Sequence, residues 1–306
     1  MNIGFIKSKY PNERRIALLP AGVPECFGRV IVEEGYGESL GISDEEYMQA
    51  GATIAKRAAI FRDCDYLHCL KLLQVDDYQY LRKNHTIIGW THPTGSGAEF
   101  FNTVCQEKEI NIVDLDSQFP KYYYMDTVKD LTHIIPKGFI DGNSRLAGFS
   151  SVQHALLSFG IAPAGEERIA VLSVGNVSQG ALSFIQKFSC NVDIYTRSNM
   201  DKFLGCIGEY DIIINGIESD SGHIVGKDNV ANIKKGCLVV DAAADAGGAI
   251  YGTKYTRIDS PLYESDGVFY YVVNNSPSLL YRQASKIICD VFTRYIYSRD
   301  PGEFIS

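Results

Sequence analysis

The chain of 306 residues is predicted to be an α/β protein: two Rossmann-like domains with parallel sheets and an interdomain active-site cleft. Three observations predict this. Short β-like runs alternate with helical patterns in both halves, and strands separated by helices imply a mostly parallel sheet covered by helices. The apolar run RIAVLSV (168–174) leads through a glycine-poor turn into a helical stretch, as in a mononucleotide-binding βαβ unit. The length suits two domains at roughly 100–200 residues each.

Taken in order, NIGFIK and RVIVEE read as strands, and SDEEYMQAGA as a helix with Ser43 as its N-cap. DYLHCLKLL, HTIIGW and INIVDLD are further strands. Residues 118–142 look irregular and suit an interdomain crossing, after which SRLAGFSSVQHALLSFG has helical periodicity. RIAVLSV, NVDIYT, YDIIIN, CLVVDAA and VFYYVV then supply five strands, with GALSFIQKF helical between the first two. SLLYRQASKIICDVFTRYIYS reads as one long amphipathic helix. The expected division is a substrate domain over 1–140, rejoined by the C-terminal helix 281–306, and a nucleotide domain over 141–280.

Composition narrows the function classes. With 45% hydrophobic and 22% charged residues the chain is an ordinary globular protein, and a net charge of −8 argues against a nucleic-acid partner. No apolar run is long enough to cross a membrane. MNIGFIKSKYPNERR lacks the apolar core of a signal peptide. The eight cysteines (Cys26, Cys64, Cys69, Cys105, Cys190, Cys206, Cys237, Cys289) show no C-x-x-C and no Cys/His ligand spacing. A reduced, cytoplasmic protein without a metal site is expected.

Three regions carry candidate chemistry. In SVGNVSQG, aligned on G-x-G-x-x-G, Gly175 stands where backbone must approach a pyrophosphate, and Ser178 is small enough for close helix–strand packing. Asn176 and Val177, between them, are further cofactor-binding candidates. Ser173 replaces the turn glycine and is expected to keep a negative φ. The bland alternative is a βα turn without a ligand. At the end of the next strand, VDIYTRS, the tip is Thr196-Arg197-Ser198 rather than a carboxylate, with Asp193 inside the strand. An Arg and two hydroxyls suit a 2′-phosphate, so the cofactor is expected to be NADP(H); a solvated loop Arg is the alternative. In the first domain, Arg15 (beside Arg14) is a fork for a carboxylate or half of a surface basic pair. Lys71 sits in an apolar strand and must snorkel or meet an anion. His92 follows a strand in a Pro/Gly-rich loop, where active sites gather.

Arg15 in ERRIALLP, Lys71, His92, the nucleotide turn and VVDAAADAGG resemble the alanine dehydrogenase and lysine-forming saccharopine dehydrogenase superfamily. GFIKSKYPNERR, KLLQ, IIGWTHPTGSG, VVDLDS-like VDLDS, GNVSQGA, YDIIINGIE and YYVVNNSPSLLYR are similar, more closely, to its N5-(carboxyethyl)ornithine synthase branch. Ser173 departs from the family's usual glycine. The resemblance implies that the amine of a basic amino acid condenses with pyruvate and that NADPH reduces the imine. It further implies that Arg15 clamps the pyruvate carboxylate with Lys71. His92 acts as the acid–base group, sharing proton traffic with Lys71, and Asp245 lies near the nicotinamide ribose. Asn274 and Asn275 line the nicotinamide end, and the chain is a homo-oligomer. For the amino acid, Asp114 or Asp116 could take the ammonium, with Tyr122 to Tyr124 as a wall and Arg282 for the carboxylate; Asp114 and Asp116 could equally cap a loop. Competing readings are an alanine dehydrogenase using ammonia, a non-catalytic NADPH-binding protein, and a saccharopine dehydrogenase.

Overall fold

A computed structural model of the chain describes residues 1–115, 119–188, 191–219 and 222–305; Asp116 and Cys190 lie outside them. The chain divides into two compact units, one made of 1–140 with 281–306 and one of 141–280.

Unit 1 holds an eight-stranded sheet, in the order β3-β2-β1-β4-β5-β6-β7-β8. The strands are β1 (Asn2–Ile6), β2 (Arg29–Glu33), β3 (Thr53–Ala55), β4 (Tyr66–Lys71), β5 (Thr86–Trp90), β6 (Asn111–Asp114), β7 (Lys121–Tyr124) and β8 (Thr127–Asp130). β1 to β6 are parallel, so all six end on one edge. The helix Asp44–Gln49 opens on Ser43, whose hydroxyl accepts from Glu46 N–H while Glu46 returns to the Ser43 amide. Ile60, Phe61, Leu67, Ile87, Ile112 and their neighbours form a core on one face of the sheet.

Residues 118–142 are not simply irregular. β7 and β8 form an antiparallel hairpin on the sheet's edge, continuing it beyond β6. The hairpin escaped notice because its turn has no glycine: Met125 takes φ +49° instead. The last helical segment is also broken. An α-helix, Tyr281–Phe292, passes into a π-helical turn, Thr293–Tyr297, and a separate short helix, Gly302–Ile305, follows Pro301. Proline cannot continue a helix ladder, which explains the stop.

Unit 2 holds a six-stranded sheet, in the order β10-β9-β11-β12-β14-β13. Its strands are β9 (Arg168–Leu172), β10 (Asn191–Tyr195), β11 (Ile212–Asn215), β12 (Leu238–Asp241), β13 (Leu262–Ser265) and β14 (Val268–Tyr271). All pairs are parallel except β13–β14. Helices Asp141–Phe159 and Asn176–Ile185 cross at glycine distance: a Cβ on Gly180 would stand 1.8 Å from the Arg145 carbonyl oxygen, and one on Gly148 1.8 Å from that of Val177. This crossing seats the helix that follows β9, and with it the turn between them.

Candidate active site

At the C-terminal edge of the unit 1 sheet the structure gathers Glu13, Arg15, Lys71 and Trp90. Arg15 is 4% exposed. Its Nε donates to Glu13 Oε1 at 2.8 Å and its Nη2 to Oε2 at 2.5 Å, a side-on pair with the Glu13 side chain fully enclosed. The surface reading of this arginine is therefore excluded. Burial pushes the Glu13 carboxyl up, but the Arg15 charge and hydrogen bonds, with the Lys71 charge, outweigh it and hold the group below the usual carboxylate range. Lys71 Nζ lies 5.2 Å from the centre of the Trp90 ring and 6.0 Å from that of Tyr10. The lysine thus meets both an anion's field and two aromatic faces.

A bulge aims Lys71. His68 pairs with Ile88, yet Lys71 pairs with Trp90, so β4 carries one extra residue against β5. Such a bulge turns the strand and re-aims the side chains beyond it. Gly89 makes room for it, because any Cβ there would stand 1.9 Å from the Cys69 carbonyl oxygen.

His92 follows two residues after β5 with φ +47°, a left-handed conformation uncommon for a side chain of this kind. Asp114, at the end of the neighbouring β6, holds it there. One carboxylate oxygen, Oδ1, accepts from Thr91 N–H at 2.9 Å, Thr91 Oγ1 at 3.1 Å and His92 N–H at 3.2 Å. The His92 carbonyl in turn accepts from the amides of Gly95 and Gly97. Of the two readings of Asp114, the geometry supports the loop cap. Strain of this kind, about 1 kcal/mol or more, persists where surrounding bonds over-determine it and clusters at functional sites.

The other residues expected on the amino-acid side are engaged elsewhere. Tyr122 Oη donates to Asn111 Oδ1 at 2.7 Å, at the far end of β6, and Tyr123 packs edge-on against Phe101. Tyr124 Oη donates to Glu109. The tyrosines therefore fasten the edge hairpin and do not wall the cation cluster. Arg282 donates to the Leu40 carbonyl oxygen at 2.8 Å.

In unit 2 the turn after β9 differs from expectation at one residue. Ser173 has φ +84°, not a negative φ: it takes the glycine's own left-handed conformation. The compensation is local, since Gly175 N–H donates to Ser173 Oγ at 2.9 Å. Gly175 precedes the helix Asn176–Ile185 with φ −69°, and a Cβ there would meet only Ser173 Oγ, at 3.3 Å. Among the described residues only this small adjustment of the Ser173 hydroxyl would oppose a side chain at the position. The turn therefore fits a ligand that must approach the backbone closely, as a pyrophosphate does at a helix N-terminus. Ser178 is buried, its Oγ donating to the Leu172 carbonyl at 2.7 Å, and Gly216 lies so close that a Cβ there would fall 2.1 Å from Ser178 Oγ. Asn176 Oδ1 accepts from Arg145 Nε, and Val177 packs against the core of the unit.

At the tip of β10 the Thr196 amide donates to Asn199 Oδ1, and the Thr196 and Ser198 hydroxyls are 3.0 Å apart. Arg197 is exposed. Asp193 is occupied within the sheet, accepting from Tyr210 Oη at 2.8 Å and pairing with Arg168 at 3.1 Å. Asp245 accepts from the amides of Ser219 at 2.9 Å and Ala249 at 3.1 Å, and Gly248 leaves it space. Asn275 is buried and Asn274 exposed.

Sequence reasoning missed four contributors. Glu13 sits two residues before Arg15, a spacing without a motif, and Trp90 looked like a strand's closing aromatic. The bulge at Lys71 has no signal but the neighbouring Gly89. Asp241, at the end of β12, is fully buried; burial pushes its carboxyl up to about 6, against the hydrogen bond that Asn215 Nδ2 donates to Oδ1 at 3.0 Å.

Two parallel α/β units, one edged by a buried cation cluster and one carrying a glycine-containing βα turn, define a two-domain dehydrogenase. The family models agree: that of the alanine dehydrogenase/PNT N-terminal domain matches residues 4–118, and that of the C-terminal domain 154–304. An N(5)-(carboxyethyl)ornithine synthase of Clostridium botulinum is 44% identical over 98% of this chain and 95% of its own. One of Lactococcus lactis subsp. lactis is 43% identical over 100% and 99%. A solved L-alanine dehydrogenase superposes with a TM-score of 0.78 at 19% identity, covering 97% of this chain and 89% of its own. The chain belongs to the N5-(carboxyethyl)ornithine synthase family, within the alanine dehydrogenase/PNT group.

Proposed function

We propose that the protein condenses pyruvate with the side-chain amine of ornithine and reduces the product with NADPH, yielding an N-(1-carboxyethyl) amino acid. The observation that carries this is the 43–44% identity, over essentially the whole chain, to relatives bearing that name. The family makes the chain an oxidoreductase acting on CH–NH bonds.

The residues divide the work by chemistry. Arg15 and Lys71 bind the carboxylate of the 2-oxo acid; Glu13 holds the Arg15 fork at one angle, so that little freedom is lost on binding. Attack of the amine on the pyruvate C2 carbonyl gives a carbinolamine. His92 donates a proton to its oxygen, which leaves as water, and Lys71 shares that proton traffic. NADPH, when bound, supplies hydride to the imine carbon. Ser173, Gly175, Asn176, Val177 and Ser178 would hold the pyrophosphate, Thr196, Arg197 and Ser198 the 2′-phosphate, and Asp245 and Asn275 the nicotinamide end. We place the protein in the cytoplasm, as a homo-oligomer.

The test is NADPH oxidation by the purified chain with pyruvate, adding ornithine, lysine or ammonia in separate runs, and repeating each with NADH. Turnover that needs ornithine or lysine and prefers NADPH supports the proposal and ranks the amines. Turnover with ammonia and NADH would make the protein an alanine dehydrogenase. Tight NADPH binding without turnover on any amine would reduce it to a binding protein.

A further inference from the structure

Trp90 is the only tryptophan of the chain. It closes β5, is 1% exposed, and carries two cations: the Arg15 guanidinium carbon lies 4.9 Å from the ring centre and Lys71 Nζ 5.2 Å. Arg15 is buried and Lys71 half-buried, two like charges that repel across one ring, and Glu13 makes its direct pair with only one of them, Arg15. An indole face is the best aromatic partner for a cation, and desolvation strengthens the attraction. The ring is also an unusual core residue. Among the described residues its Nε1–H has no acceptor, whereas a buried indole ordinarily finds one. A ring chosen only to fill volume would not need that unmet donor.

We propose that Trp90 is a positioning residue for the 2-oxo acid: its face holds the Arg15 and Lys71 cations at a fixed separation, set to receive one carboxylate. The inference rests on the proposed use of these two residues for pyruvate. The bulge in β4 and Gly89 in β5 bring Lys71 to the ring, while the Glu13 pair fixes Arg15 beside it. The field of the Glu13 carboxylate reaches both cations, but the ring is the surface that both of them contact. Phe292 meets Trp90 edge-on at 6.1 Å and supports the ring without taking part in either cation contact.

The experiment compares three variants of the full chain in steady-state kinetics. Trp90→Leu should raise the KM for pyruvate about tenfold or more, while kcat and the NADPH Kd change less than about threefold. Trp90→Phe, which keeps an aromatic face, should bring that KM back to within about threefold of wild type. Phe292→Leu should lower the melting temperature and leave the pyruvate KM alone. Phe no better than Leu at position 90, or Phe292→Leu raising the pyruvate KM equally, would overturn the proposal. A second measurement needs no turnover: pyruvate titrated into the protein, with and without NADP+, should change the emission of Trp90 saturably. If wild type turns over no 2-oxo acid with any amine, the proposed function fails. A flat emission titration with pyruvate in that case sinks the role of the ring as well, and a saturable one sustains it.

Discussion

The Arg15–Lys71 edge of unit 1 and the βα turn of unit 2, to which we assign the 2-oxo acid and the pyrophosphate, would each hold an anion, by opposite means. The first uses three charged side chains and an indole from three separate segments: Glu13 with Arg15, and Trp90, all packed out of water, and the half-buried Lys71. The second uses backbone and the smallest side chains of one short segment, Ser173 to Ser178, at the start of a helix. Buried charge is costly unless paired, so unit 1 depends on its partners: Glu13 for Arg15, two residues on, and Trp90, distant in sequence, for both cations. Backbone amides are present in any chain, and unit 2 needs only to leave them accessible. The difference teaches where each region is vulnerable: unit 1 through its pairs, unit 2 through its shape.

The largest effect should come from the proposed proton donor, His92. His92→Ala is expected to lower kcat by about a hundredfold to ten-thousandfold, with the NADPH Kd within about threefold of wild type. A variant that lost cofactor affinity instead would dissolve the division between the two regions. Next, Glu13→Gln leaves Arg15 buried without its counter-charge and should cost about 3 kcal/mol in denaturant unfolding. A loss below about 1 kcal/mol would show that the pair is not the anchor it looks to be.

Acid should also separate the units. Burial lowers His68 from 6.5 to about 3 and His85, with the Arg82 charge adding to it, to about 4; both lie in unit 1. Each binds its proton more readily unfolded, so their contribution is complete above pH 6.5 and is lost as pH falls toward 4. By pH 5 each should subtract about 2 kcal/mol. Unit 2 has His154, lowered by burial, opposed by Asp241, whose raised carboxyl works in the other direction as pH falls through about 6. Hydrogen exchange at pH 5 should therefore show unit 1 opening before unit 2; equal protection in both would contradict this.

The smallest effects sharpen the view of the turn. Gly175→Ala should fold with only a small shift of the Ser173 hydroxyl, 3.3 Å from the added Cβ, yet weaken NADPH binding about tenfold, since a closely approaching ligand would not accommodate the methyl. Unchanged affinity would remove the argument for close approach. Ser173→Gly should relieve the left-handed conformation and stabilise the cofactor-free protein by about 1 kcal/mol, read as a rise in melting temperature. No rise would mean that the bond from Gly175 N–H to the serine hydroxyl offsets the strain fully.

Local pattern was enough for the parallel α/β class, for most strands and for the capped helix at Ser43, because each depends on residues close in the chain. The turn at Ser173–Ser178 was legible for the same reason, although the left-handed φ of Ser173 was not: a serine can adopt either sign, and the hydroxyl bond that selects one is a matter of geometry. The hairpin of β7 and β8 was hidden because its turn uses Met125 in place of glycine. Arg15, Lys71 and His92 could be singled out by type. Their setting could not: the Glu13–Arg15 pair is set by the folded loop, and the bulge that carries Lys71 to Trp90 and the Asp114 carboxylate on the backbone of His92 are made across the sheet. Side-chain identity and spacing along the chain determined the fold class and the family. Only the tertiary structure decided which charges meet, because burial and pairing are set between strands whose residues lie tens of positions apart.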